Sequence, residues 1–476
     1  MSFNSLPFLI FLPVVVAVDR FMPQKYRWIW LLASSYFFYM YWNPWLIVLL
    51  LITKLVSYSA ALLMERYPCR KKLLLALTLS VCLGILAFFK YFNFFADTVL
   101  TVSNFLTGRS DSFFIDILLP IGISFYTFQT LSYVIDVYRG DFKAERHLGW
   151  YALFVVYFPQ LVAGPIEPPG KLLPQLKSER RADAEDIRAG IRLLLCGFFR
   201  KCAVADLLGI YVNRVYSNLS GAGAFAVLCA GAMFCLQIYC DFAGYSEIAA
   251  GSARLMGIRL TRNFDRPYTS QSPSEYFRRW HISLNRWFTQ YLYIPLGGSR
   301  RGKWCRMLNT LIVFALCGLW HGASWTYVLW GLYSAVCVIL DSTFKRNIRN
   351  ERPLAVLTRR VLMFIFYIPA GLMFRASSVG EIGVIFSRLI FGWETGIDVS
   401  FSQMGINGLT LALILLTITS MARLYDWGNY DLPPAKDDTD TARRVLSAAL
   451  IITIIAISWL ALLETEAAAG FAYFQF

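Results

Sequence analysis

The chain has three histidines, and one of them, His321, stands in a run from Met307 to Leu340 that contains no Asp, Glu, Lys or Arg. An ionisable side chain in sequence of lipid-depth character is costly, so it persists where chemistry or a polar partner requires it. Desolvation disfavours the charged imidazolium and leaves the neutral ring, which is the form that accepts a proton from a hydroxyl. His321 is therefore a candidate general base, and a buried histidine satisfied by a backbone carbonyl is the structural alternative. Trp320 and Trp325 flank it and supply shape and dryness. His281 lies in the stretch Tyr276–Phe288, where Asn285 follows one helical turn later and is placed to orient the ring. A purely structural bond from His281 to a neighbouring carbonyl fits the same local sequence. His147 sits in a charged loop and reads as solvated.

A second set of polar groups comprises Asp136, Asp241 and Glu247, each in apolar or aromatic surroundings. An unpaired carboxylate there is strongly disfavoured, so pairing with arginines of the basic middle region is expected, with helix capping as the alternative. No Gly-x-Ser-x-Gly elbow, Walker loop, dinucleotide fingerprint or metal-ligand cluster is present, which argues against serine-hydrolase, ATPase and dehydrogenase chemistry. Ten cysteines lie mostly in apolar runs without a Cys-x-x-Cys pair, so neither a disulfide framework nor a structural metal is expected.

The elements that position these residues must be membrane helices. The chain is 57% hydrophobic, 16% aromatic and 16% charged, with mean hydropathy +0.52, whereas soluble domains carry roughly 25% charged residues. Spans of about 20 apolar residues are met or approached at Leu6–Val18, Trp28–Met40, Trp45–Leu63, Leu73–Phe89, Trp150–Ile166, Ala222–Ile238, Met307–Leu340, Val361–Leu372, Leu409–Met421 and Val445–Leu463. The fold class expected is an all-α polytopic membrane protein of about nine to twelve membrane-embedded helices, some broken or re-entrant, in one domain over residues 1–476. Leu6–Val18 has no preceding positive charge and no following cleavage site, so it reads as a retained helix. Arg20, Lys25 and Arg27 follow it, and Arg66, Arg70, Lys71 and Lys72 follow the third span. The positive-inside rule puts both groups in the cytoplasm and the N-terminus outside. The net charge of +15 is then explained by loops and lipid headgroups, not by nucleic acid.

The middle third differs from the ends. Eight basic residues fall between Lys171 and Lys201, and Glu185–Lys201 reads as an amphipathic helix on the cytoplasmic surface. From Arg254 to Arg306 there are eleven Lys or Arg against Asp265 and Glu275, interleaved with aromatic residues. That pattern fits backbone dipping into the membrane from the cytoplasmic side, and it fits equally an interfacial loop. Such a basic face also attracts an anionic donor. The 34 residues from Met307 to Leu340 would extend about 51 Å as one helix against a core of about 30 Å, so a break is expected, and Gly322 is the natural place.

The segments Pro120–Gln129, Phe158–Ile166, Asp241–Ser246, Asn263–Tyr268, Arg278–Leu284, Tyr291–Gly298 and Leu319–Ala323 together resemble the membrane-bound O-acyltransferase family. The similarity runs from about Phe3 to Leu340, with core motifs in about 118–340, and is strongest to the bacterial branch that O-acetylates polysaccharides such as alginate, peptidoglycan or cellulose; Tyr473–Phe476 also resembles that branch. The resemblance implies that His321 is the catalytic histidine and His281 the second one, on the cytoplasmic side of a central tunnel. It implies acetyl-coenzyme A, or an acyl carrier thioester, as donor, with Arg278, Arg279, Trp280, Asn285 and Trp320 shaping its site. It implies delivery of the acetyl group across a bacterial plasma membrane, with a secreted partner enzyme completing transfer to the polysaccharide. Thr289-Gln290 stands where relatives usually have Arg-Asp, so a salt bridge of that pair is lost. A non-enzymatic transporter or scaffold subunit is the other reading, in which the buried histidine and carboxylates form a proton or lipid path.

Overall fold

The computed structural model describes residues 1–110, 112–344 and 353–406, and among them every regular element is a helix. Among the described residues, five helical stretches are long and apolar enough to cross a membrane: Pro44–Arg66, Pro68–Thr107, Ala224–Leu255, Trp325–Thr343 and Pro353–Arg375. The candidate spans Leu409–Met421 and Val445–Leu463 and the terminal Tyr473–Phe476 lie outside the described residues.

Four helices, α1 (Leu6–Phe21), α2 (Gln24–Met40), α3 (Ile47–Arg66) and α4 (Lys71–Leu86), run up and down between two faces. A π-helical turn, Ala87–Tyr91, joins α4 directly to α5 (Phe92–Thr107). α6 (Ile123–Arg139) then returns to the face that carries the basic turns. That face is tied together at many points. Arg27 pairs with Asp19 at 2.7 Å, Arg20 Nη1 donates to the carbonyl of Ala182 at 2.6 Å, and Arg139 Nη2 donates to that of Gln290 at 3.1 Å.

Two segments enter from this basic face and go back to it. The first is α7 (Leu148–Val156), α8 (Phe158–Leu161) and α9 (Pro169–Lys177). Trp150–Ile166 is therefore not a span: α7 has 9 residues, about 14 Å of rise against a core of about 30 Å. The irregular turn after α8 is covered by protein, as backbone at that depth must be. Gln129 donates to the Glu167 carbonyl at 2.8 Å and accepts from the Glu167 N–H at 3.0 Å.

Next come α10 (Ala184–Phe198), a second π-helical turn at Phe199–Ala205, α11 (Asp206–Ser217) and the long α12 (Ala224–Leu255). Glu185–Lys201 keeps one side outward, with Glu185, Ile187, Arg188 and Ile191 exposed, while Asp186 turns inward, buried and paired with Arg180 at 2.6 Å, Arg254 at 2.7 Å and Arg259 at 3.1 Å. The helix packs on α12 through glycines: a Cβ on Gly197 would lie 2.7 Å from the Gly244 carbonyl oxygen, and one on Gly251 2.8 Å from that of Gly190. Small residues at two such levels let the helix backbones approach closely.

The second re-entrant segment is α13 (Pro273–Arg279) and α14 (Ile282–Phe288). It is pinned where the two helices meet, because Ile282 N–H donates to the Asn263 carbonyl at 2.9 Å and Ser283 N–H to Asn263 Oδ1 at 3.2 Å. The Ser283 hydroxyl accepts from the Ile166 N–H at 3.1 Å, which joins the two dipping segments.

The charge-free run breaks at Gly322, as its length requires, into a hairpin of α15 (Lys303–His321) and α16 (Trp325–Thr343). Gly318 and Gly331 lie where α15 and α16 touch: a Cβ on Gly318 would overlap the Tyr327 carbonyl oxygen, and one on Gly331 that of Phe314. α17 (Pro353–Leu362), α18 (Phe364–Arg375), α19 (Val379–Phe391) and α20 (Ile397–Met404) complete the described chain. α18 packs beside α12 and α16.

Gly318→Val should wedge the hairpin apart and lower the unfolding midpoint in detergent by the equivalent of about 1–3 kcal/mol. Gly84→Ala, where a Cβ would meet nothing within 4 Å, should leave that midpoint unchanged or slightly raised. Equal midpoints for the two variants would contradict the close hairpin packing.

Candidate active site

His321 is the last residue of α15 and is 8% exposed. Its ring is enclosed by Trp320, Trp330 and Phe374 at centroid distances of 5.1, 5.3 and 5.4 Å. It is not sealed in solid packing, because it borders two cavities. One, of ≈ 470 Å³, lies on the face opposite the basic loops and is lined by Tyr39, Lys90, Ile121 and Ser124, with Trp42 and Leu118 at an exposed rim. The other, of ≈ 40 Å³, runs toward the basic face between Tyr268, Tyr276, Trp280, Trp330, Phe366 and Phe374. The first has the size of an ordinary ligand site. The second is narrow and mostly aromatic. The expected central tunnel is thus two unequal spaces that meet at one imidazole.

The end of α15 is held by the π-helical turn at Ala87–Tyr91. Lys90 Nζ donates to Ser124 Oγ at 3.3 Å, to the His321 carbonyl at 3.4 Å and to the Trp320 carbonyl, while Tyr91 Oη donates to the Leu319 carbonyl at 3.0 Å. The last carbonyls of a helix have no partner within it. Here side chains of a neighbouring helix take three in succession.

His281 occupies the corner between α13 and α14 with φ 42°. It is 1% exposed, and neither ring nitrogen has a hydrogen-bond partner among the described residues. Its ring faces Phe242 at 4.6 Å and Trp320 at 5.9 Å, so Trp320 touches both imidazoles. The carbonyl-bonded alternative is not what forms. Asn285 does not orient the ring: its amide donates to the carbonyls of Phe277 at 2.6 Å and Trp280 at 2.5 Å, which locks the turn that points His281 inward.

The remaining sequence candidates separate. Trp280 lines the narrow cavity and Trp320 the wide one. Arg279 bonds Glu275 at 2.6 Å, and Arg278 is exposed; neither lines the two cavities beside His321. Thr289 Oγ1 donates to the Asn285 carbonyl at 2.7 Å, a local bond in place of an ion pair.

The buried carboxylates are partnered, and the closest cations to two of them come from outside the Arg254–Arg306 region. Arg200 pairs with Glu247, and Lys201 bonds Asp241 at 2.9 Å and Asp206 at 2.6 Å, all from the π-helical turn Phe199–Ala205 or next to it. Asp136 instead accepts from the Tyr291 hydroxyl at 2.8 Å. Sequence reasoning passed over Lys90, Tyr91 and Ser124. The signal for Lys90 was available, since it is the only charged residue between Leu73 and Ala96.

Residues 146–380 match the model of the MBOAT, membrane-bound O-acyltransferase family. A probable alginate O-acetylase of Pseudomonas putida is 33% identical over the full length of both chains. A peptidoglycan O-acetyltransferase of Helicobacter pylori is 29% identical, over 80% of this chain and 75% of its own. A teichoic acid D-alanyltransferase of Streptococcus thermophilus is 28% identical over 49% of this chain and 60% of its own.

The left-handed backbone at His281 separates two substitutions that remove the same ring. His281→Gly should be more stable than His281→Ala by about 1–2 kcal/mol, because Gly carries no Cβ penalty there. Thermal unfolding of both variants in one detergent checks this, and an equal or lower midpoint for the Gly variant would contradict the strained corner.

Proposed function

We infer, from the fact that this chain belongs to the membrane-bound O-acyltransferase family, that it moves an acetyl group from a cytoplasmic thioester to a hydroxyl acceptor on the outer side of a bacterial membrane. That it is an O-acyltransferase follows from the family and from relatives named as O-acetylases. The finer reading rests on one observation: His321 borders both cavities, so a single imidazole adjoins two separate spaces.

The donor we favour is acetyl-coenzyme A, with an acyl carrier protein as the other thioester of suitable charge. The basic loops around Arg259, Arg278 and Arg286 attract its phosphates, and the positive-inside rule puts those loops in the cytoplasm and the N-terminus outside. The donor's arm enters between Trp280, Tyr276 and Phe366. A space of ≈ 40 Å³ does not hold such an arm, so these rings must part, and Trp330 and Phe374 with them. The acceptor comes through the wide cavity, past Trp42 and Leu118.

His321 takes the proton of the acceptor hydroxyl as its oxygen attacks the thioester carbon. A carbon–oxygen bond forms, the carbon–sulfur bond breaks, and the imidazolium returns its proton to the leaving thiolate. Trp320, Trp330 and Phe374 keep water from competing. Relatives named for alginate and peptidoglycan support a polysaccharide as final acceptor, reached in this reading through a secreted partner enzyme.

Purified protein in nanodiscs should release coenzyme A from acetyl-coenzyme A in the presence of an acceptor hydroxyl. His321→Ala should slow this by about 10²–10⁴-fold, the usual worth of a general base, while eluting as the wild type does. Wild-type turnover in a folded His321→Ala protein would end this reading.

A further inference from the structure

We propose that Lys90 is the positioning residue of this active site: its ammonium clamps the end of α15 to the first turn of α6 and so fixes where the His321 ring stands between the two cavities. The inference rests on the proposed role of His321 and adds a residue to it.

A lysine inside an apolar span is costly and needs a reason. Lys90 falls in the Pro68–Thr107 stretch, at the π-helical turn Ala87–Tyr91. Such turns insert a residue into the helical ladder, which re-aims the side chains around it, and they recur at functional sites. Here the turn brings Lys90 and its neighbour Tyr91 to the same target, the carbonyls of Leu319, Trp320 and His321.

An ammonium has three donors. Those of Lys90 go to the carbonyls of Trp320 and His321 and to the Ser124 hydroxyl. None is left for a substrate, so Lys90 acts through its neighbours and not on the reacting atoms. Its charge suits the place, because a cation at a helix C-terminus complements the negative end of the dipole. The nitrogen also sits 5.8 Å from the centre of the Trp320 ring, within cation–π range. Trp320 in turn touches both His321 and His281. One ammonium thus sets the positions of the candidate base, of the indole between the two imidazoles, and of the turn Gly122–Ser124 that lines the wide cavity.

If Lys90 only filled space, a neutral side chain of like length would serve. If it positions the base, its loss should act on turnover and not on donor binding. Lys90→Met should lower kcat by about 10²-fold, the cost of a misplacement near 1 Å, with KM for acetyl-coenzyme A essentially unchanged. Lys90→Cys should fall equally. Treating it with 2-bromoethylamine, which rebuilds an ammonium of lysine length, should recover most of the lost kcat, whereas iodoacetamide, which adds a neutral arm, should not. Wild-type protein carried through both reagents controls for the native cysteines. Full kcat in Lys90→Met, or equal recovery with the two reagents, would overturn the proposal.

Should Lys90→Met fail to elute as a monodisperse peak, Lys90→Arg takes its place: reduced kcat with intact KM supports the proposal, and wild-type kcat overturns it. The reading beneath is tested separately, because wild-type turnover in His321→Ala would remove the base itself, whereas an inactive His321→Ala beside a fully active Lys90→Met would remove only the role of Lys90.

Discussion

A helix that stops inside a membrane protein leaves carbonyl oxygens that no bulk water can satisfy, and the end of α15 is such a place. Everything at the site is arranged around it. The carbonyls of Leu319, Trp320 and His321 are taken by Tyr91 and Lys90, and Gly322 leaves the helix in extended backbone with φ −159°. The chain can therefore turn sharply into α16 and leave the last side chain, His321, at the junction of two cavities. Were the run from Met307 to Leu340 one continuous helix, that imidazole would sit on its flank among packed neighbours.

The same solution occurs twice. A π-helical turn at Phe199–Ala205 carries Arg200 and Lys201 inward to meet Glu247 and Asp241 on α12, as the turn at Ala87–Tyr91 carries Lys90 inward. Buried ion pairs give little net stability, since desolvation cancels most of the attraction, but losing one partner leaves an uncompensated charge. Their effect here is geometric. They fix α10 and α11 against α12, and the α12 face that bears Phe242 in turn packs on His281. The two re-entrant segments rest on the same helix bundle, joined to each other through Ser283 and Ile166.

Much of this was legible in the residues. The absence of charge around His321 marked it, the length of its run demanded a break, and Gly322 supplied one. The aromatic and basic texture of Arg254–Arg306 matched backbone that dips from one face and returns. What was not legible has physical causes. Trp150–Ile166 reads as a span because a re-entrant loop covered by protein needs the same apolar composition as a helix facing lipid. Glu185–Lys201 reads as a surface helix, and one side of it is exposed; the polar stripe does not reveal that Asp186 alone turns inward to a cluster of arginines. Asn285 stands one turn from His281, yet its amide is spent on two carbonyls, and spacing cannot reveal a competing acceptor. Lys90 is hidden because it directly follows the apolar stretch Leu73–Phe89, and a charge at the edge of such a stretch looks like an ordinary span boundary.

The account turns on a donor and an acceptor reaching one imidazole from opposite sides. A cryo-EM structure of the protein in nanodiscs with a non-hydrolysable acetyl-coenzyme A analogue tests this most directly. The account predicts that the rings of Trp280, Tyr276 and Phe366 part, that the analogue's acyl end lies within about 3 Å of the His321 ring or one water away, and that its phosphates lie among the basic loops. An analogue bound instead in the wide cavity beside Trp42 and Leu118, with the aromatic passage still closed, would contradict it.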